Sequence, residues 1–169
     1  MHPPFILQVS TSLCKHYPLE FNLADPAMLQ EMEQSFADRS KSKGVMRGCV
    51  GALDASGIAI RINCPSRRDD IKAASYFNRK GFYSVNCQAI CDGNLIFRWM
   101  SIATAGATHD STAFGVTRLA RLIRRGYLPD PYWIAADAAY VADNSVLTPF
   151  PGSTHIFPMH IPFKLYLML

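Results

Sequence analysis

The sequence predicts an α/β domain built on a mixed sheet, and three observations carry that prediction. Apolar, alternating segments recur between residues 45 and 104, a helical stripe with capping residues follows from His109, and one further apolar segment, Tyr132–Tyr140, comes after the helix. Strands joined by short turns pair antiparallel, whereas a strand reached through a helix returns parallel to its neighbour. The order therefore implies antiparallel hairpin strands, a crossover helix, then a parallel strand.

Each element has its own local signal. Residues 1–45 form an N-terminal leader punctuated by Pro3, Pro4, Pro18 and Pro26. Within it the segment from Pro26 to Phe36 reads as a helix capped by Asp25, with Met28, Leu29, Met32 and Phe36 as the stripe laid over the edge of the core. Arg39, Lys41, Lys43 and Arg47 then suit a solvated loop. Gly48–Asp54 is a compact apolar strand, and Gly57–Ile62 alternates until Pro65. Tyr83–Cys91 alternates cleanly, with Val85, Cys87, Ala89 and Cys91 on one face and Ser84, Asn86 and Gln88 on the other. Asp92-Gly93-Asn94 signals a hairpin, and Leu95–Thr104, apolar on both faces, reads as a central strand. A helix starts at His109-Asp110-Ser111, with Asp110 or Ser111 as cap and Val116, Leu119, Ala120 and Ile123 as its buried stripe; Gly126, Pro129 and Pro131 mark its end.

Composition narrows the function classes. At 169 residues, 49% hydrophobic and 18% charged, the chain has the makeup of one globular domain rather than a disordered or fibrous one. No apolar run approaches the ~20 residues of a membrane span, and Met1–Val9 has two prolines and no basic region ahead of its short apolar stretch. The expectation is a protein of the nucleus or cytoplasm, neither membrane-bound nor secreted. Five cysteines, odd in number and without a C-x-x-C, indicate reduced, mostly buried thiols rather than a disulfide framework or zinc ribbon. The excess of 17 Lys and Arg over 13 Asp and Glu permits a polyanion partner without requiring one. The only Glu residues are Glu20, Glu31 and Glu33, so Asp is the sole carboxylate of the rest of the chain.

Two of those aspartates share a position type. Asp54 ends the first apolar strand and Asp137 lies near the end of the strand after the helix. On neighbouring strands both would emerge at one rim, where hard cations such as Mg²⁺ take carboxylate oxygens. Two such ions can activate a nucleophile and stabilise the leaving oxygen in phosphodiester cleavage. The competing reading of Asp54-Ala55-Ser56-Gly57 is an Asp-x-x-Gly turn, which the residues alone favour. Asp137 inside an apolar run is costly to bury without a partner, while Asp110 and His109 read as cap and structural histidine. Arg67, Arg68, Lys72, Arg79 and Lys80 suit weak, salt-sensitive DNA binding without sequence discrimination, or else, for Arg79 and Lys80, pinning of their loop to the sheet.

Taken in order, Gly48-Cys-Val-Gly-Ala-Leu-Asp54, the run from Tyr76 to Asp92 with its Asn-Arg-Lys-Gly-Phe and Gln, Gly106-Ala-Thr-His-Asp-Ser111, Ala136-Asp-Ala-Ala-Tyr140 and Leu147-Thr-Pro-Phe150 resemble the Harbinger-type DDE transposases and the nuclease-like proteins derived from them. The resemblance covers residues 46–150 as a partial endonuclease domain, with 151–169 as an atypical tail. It implies an RNase H-like fold, C-terminally incomplete, and DNA strand cleavage and transfer dependent on a divalent metal, Mg²⁺ or Mn²⁺. Asp54 matches the first catalytic, metal-binding acid and Asp137 the second. The family's third acid is a Glu on a later helix, and no Glu follows Glu33 here. Where the family reads Asp-Gly-Thr-His, this chain has Asp54-Ala-Ser-Gly57. The first 45 residues show no DNA-binding helical domain, so the expected partners are DNA, bound weakly, and a separate DNA-binding protein. The resulting expectation is an endonuclease domain with little or no activity of its own, or a non-catalytic nucleic-acid-binding or protein-interaction remnant using the basic residues of 61–80 and Arg118, Arg121 and Arg125.

Overall fold

The fold, taken from a computed structural model, is described for residues 3–16, 18–39, 44–62 and 73–149. Helices α1 (Pro3–His16) and α2 (Pro26–Arg39) precede strands β1 (Cys49–Ala59), β2 (Ser84–Cys91) and β3 (Phe97–Ala105). Helices α3 (Asp110–Gly115) and α4 (Arg118–Arg124) lead to β4 (Trp133–Ala136) and β5 (Val146–Leu147). One five-stranded sheet results, ordered β3-β2-β1-β4-β5. The β1–β2 and β2–β3 pairs are antiparallel, while β4 pairs parallel with β1 and β5 parallel with β4. This is the mixed α/β sheet that the order of elements implies, and it is consistent with the RNase H-like fold that the resemblance implies.

Helix α2 forms where its local signals place it. The Asp25 carboxylate accepts the Ala27 and Met28 amides at 3.0 and 3.2 Å, satisfying donors that a helix start otherwise leaves unpaired. Leu29, Met32 and Phe36 are buried, but against the central strand rather than the sheet edge. There Leu29 and Met32 join Val50, Leu53, Ile90 and Ile134 from the sheet and Leu119 and Ile123 from α4, while Phe36 packs in a second cluster with Met46, Cys49, Ala52 and Ala135. Glu33 accepts the Gly48 amide at 2.7 Å and so ties α2 to the start of β1. At the β2–β3 turn Gly93 lies so close to the Ser35 backbone that a Cβ has no room, and its amide donates to the Ser35 hydroxyl at 2.9 Å. The buried Asp92 carboxylate accepts the Asn94 and Ile96 amides and pairs with Arg98 at 2.7 Å, and Arg98 reaches on to Glu31 of α2.

Four expectations are corrected. Asp54-Ala55-Ser56-Gly57 is no turn, because β1 runs unbroken from Cys49 to Ala59 with every residue from Ala52 onward paired to β2. Strand β3 is an edge strand among the described residues, not a central one: none of them pairs on its far side, and Phe97 and Ile102 are 54% and 51% exposed. The helix after His109 is two helices broken at Val116, which is exposed; the side-chain cap is Thr117, accepting the Ala120 amide, while Asp110 lies inside α3 and caps nothing. The last predicted strand stops at Ala136, so Asp137 opens the following turn. Helix α1 and strand β5 had no counterpart in the sequence reading. Cys49 and Cys87 are buried and Cys14 is exposed, whereas Cys64 and the tail from Phe150 lie outside the described residues.

Candidate active site

The parallel ladder between β1 and β4 builds the site. Ala52 pairs with Ala135 and Leu53 with Ala136, so Asp54 and Asp137 are the next residues along two adjacent chain segments running the same way. The small side chains of Ala135 and Ala136, both buried, let β4 pack in the middle of the sheet and deliver Asp137 to its end. Asp137 then heads a tight turn, its carboxylate accepting the Ala139 amide at 2.9 Å. Asp54 accepts the adjacent Ala55 amide at 2.7 Å. Its carboxyl titrates above the ordinary carboxylate range: partial burial is the main cause, the Ala55 hydrogen bond opposes it, and the charges of Asp137 and Asp110 push it further up against a small counter-effect of Lys80.

Asp110 is the residue that sequence reasoning assigned to helix capping. It faces the rim from the start of α3, close enough to act on Asp54, and one carboxylate oxygen accepts the Asn86 side-chain amide at 2.9 Å. Behind it the polar face of β2 is turned inward: Ser84, Asn86 and Gln88 are all buried. Gln88 donates to Asn86 at 2.7 Å and accepts the Tyr140 hydroxyl at 2.8 Å. Tyr140 is itself held well above the ordinary phenol range, by burial first and then by Asp110, Asp54 and Asp137. The strict alternation of β2 located this row of polar residues but left open which face is buried.

A cleft of about 240 Å³ opens beside the rim, lined in part by Ala55, Arg79, Lys80, His109 and Asp110. Its cationic loop is pinned by Asn78, which accepts the Lys80 amide at 2.9 Å and donates to Ser84 at 2.8 Å, leaving Arg79 and Lys80 exposed. Arg67, Arg68 and Lys72 lie outside the described residues. Another cavity, about 740 Å³, lies between the Glu20–Asp25 segment, Trp99 and α4 and includes none of these groups.

A family model described as DDE superfamily endonuclease matches residues 55–160, more than half of the chain. The chain belongs to that family. Asn86, Gln88, Asp110, Asp137 and Tyr140 fall within the matched span of this DDE superfamily endonuclease, and Asp54 stands one residue before it. Among curated proteins it is similar to "Putative nuclease HARBI1" of Rattus norvegicus, 27% identical over 87% of this chain and 35% of the relative. The Homo sapiens protein of the same name is 27% identical over 82% of this chain and 34% of the relative. The chain thus spans about a third of the length of the curated relatives it matches. No solved structure matches.

Proteins of the DDE superfamily generally use divalent metals, and the rim can be tested against such an ion. Its donors are carboxylate oxygens, the hard type that Mg²⁺ and Mn²⁺ take, and Mg²⁺ is commonly bound through one or two carboxylates plus water. Among the described residues no group of three or more Asp, Glu, His or Cys is placed to hold one ion. Asp54 and Asp137 are the pair at this rim that could hold a single such ion, with water completing its shell. No helix of the described residues is long and apolar enough to cross a membrane.

Proposed function

We propose that Asp54 and Asp137 hold one Mg²⁺ or Mn²⁺ in a site for cleavage of DNA phosphodiester bonds, and that this 169-residue chain, taken alone, turns over at little or no rate. The single observation that supports the site is the parallel pairing of Leu53 with Ala136, which makes the two acids neighbours at one rim. A bound cation of this kind activates water and neutralises charge on a phosphate oxygen. The chain's own contribution is to present two oxygen donors, one on β1 and one in the turn that ends β4, and to offer Arg79 and Lys80 beside them for the DNA backbone. Asp143, the one acid after Asp137, accepts the Ser145 and Val146 amides at 2.8 Å and so serves the turn into β5. Among the described residues no third acid joins Asp54 and Asp137 to hold a second ion, and losing one electrostatic stabiliser of the leaving oxygen costs a factor of ~100 to 1,000.

The test is nicking of supercoiled plasmid with Mn²⁺ by the chain and by Asp54→Ala. Neither is expected to nick above background. Nicking by the parent that Asp54→Ala abolishes would overturn the inactivity while upholding the site. Nicking that survives in Asp54→Ala would overturn the site.

A second reading, a non-catalytic nucleic-acid-binding or protein-interaction domain in the nucleus or cytoplasm, has its own observation: Arg118, Arg121 and Arg125 are all exposed on and just after α4. Both readings expect weak, sequence-blind DNA binding that falls steeply with salt, with a separate DNA-binding protein supplying the target. Filter binding at low salt tests this, and no retention would remove DNA as a direct partner.

A further inference from the structure

The sheet face beneath the rim carries a line of hydrogen bonds whose polarity is fixed from one end. An ionised Asp110 can only accept, so Asn86 must present its amide nitrogen to it at 2.9 Å. That leaves the Asn86 carbonyl to accept from the Gln88 nitrogen at 2.7 Å, and the Gln88 carbonyl to accept from the Tyr140 hydroxyl at 2.8 Å. Every donor in the line points toward Asp110. Asn86, Gln88 and Tyr140 are 5%, 1% and 6% exposed, so each would cost stability if left unpaired, and apolar side chains could fill the same volume. Helix α3 is held to this line twice, by Asp110 at its first residue and by Phe114, whose ring meets Tyr140 edge-on at 6.1 Å.

We propose that Tyr140, Gln88 and Asn86 are positioning residues that lock the Asp110 carboxylate in one orientation at the rim shared by Asp54 and Asp137, where its charge strengthens the hold on a divalent cation without binding the ion directly. The proposal rests on the reading of the rim as a cation site. It makes Asp110 a third negative charge of the site, and gives a use to the polar residues of β2 that the fold alone does not need. Partners of this outer kind typically change metal affinity by about 10- to 100-fold when removed.

The experiment is the Mn²⁺ affinity of the full chain, read from the enhancement of water-proton relaxation, with the urea unfolding midpoint measured on the same samples. The variants are Asp110→Asn, which keeps the side-chain shape, Tyr140→Phe, which removes only the hydroxyl that orients Gln88, and Asp54→Asn. The expected result is that Asp54→Asn abolishes binding, while Asp110→Asn and Tyr140→Phe each weaken it about tenfold or more in chains that remain folded. If Asp54→Asn abolishes binding but Asp110→Asn and Tyr140→Phe bind Mn²⁺ as the parent does, the line is merely structural and the proposal fails while the cation site stands. If the parent binds no Mn²⁺, or Asp54→Asn binds it equally well, the cation site fails and the proposal falls with it.

Discussion

At the scale of one residue, Asp54 carries a charge that the folded chain disfavours. Its carboxyl is held above the ordinary range by partial burial and by two neighbouring negative charges, so the folded chain holds a proton there more tightly than the unfolded chain does. The sign follows from linkage. The stability tied to this group is fully present below the unfolded carboxylate pKa of about 3.9, is lost as pH rises through the raised folded value, and stays lost at neutral pH. Asp54→Asn should therefore raise Tm at pH 7 and leave it unchanged near pH 3. The gain is expected at about 1–3 °C, since electrostatics at a solvent-open group are worth no more than about 1 kcal/mol. Calorimetry at the two pH values checks it; equal Tm shifts at both would mean that Asp54 carries no such repulsion. A rise at pH 7 is what a residue retained for chemistry rather than for packing would give.

Among the elements, β2 and β3 differ most from what their sequences suggest, and for one physical reason. Alternation fixes which residues share a face, but whether a face or an edge is covered depends on partners far away in the chain. Hence β2 buries its polar face and β3, though it has apolar residues on both faces, stands at the sheet edge. Ile102→Lys on β3 should change stability by less than about 0.5 kcal/mol, the usual range for an exposed position. Ile90→Ala on β2, at a fully buried site, should cost about 2–5 kcal/mol. Urea denaturation compares them, and a large loss from Ile102→Lys would show that β3 is covered. Elements with strong local punctuation were legible: the Asp25 cap and Pro26 fixed the start of α2, and Asp92-Gly93 the hairpin. The break at Thr117 also carried a local signal, a threonine ahead of a helical run, which a single continuous stripe obscured.

For the whole molecule, the order of strands and the crossover were legible because connection rules leave few ways to join these elements. The two acids were legible as a pair for the same reason, since a parallel strand beside β1 brings its end to the same rim. The contribution of Asp110 was not, because it arises only when α3 closes on β2 and sets a buried amide against its carboxylate. The central claim remains that Asp54 and Asp137 share one divalent cation. Crystals of the chain soaked in Mn²⁺ and measured for anomalous scattering test it most directly. The account predicts one manganese peak at bonding distance from an oxygen of each carboxylate. A peak bound to only one of them, or no peak at the rim while the two carboxylates stand too far apart to meet across a single ion, would contradict it.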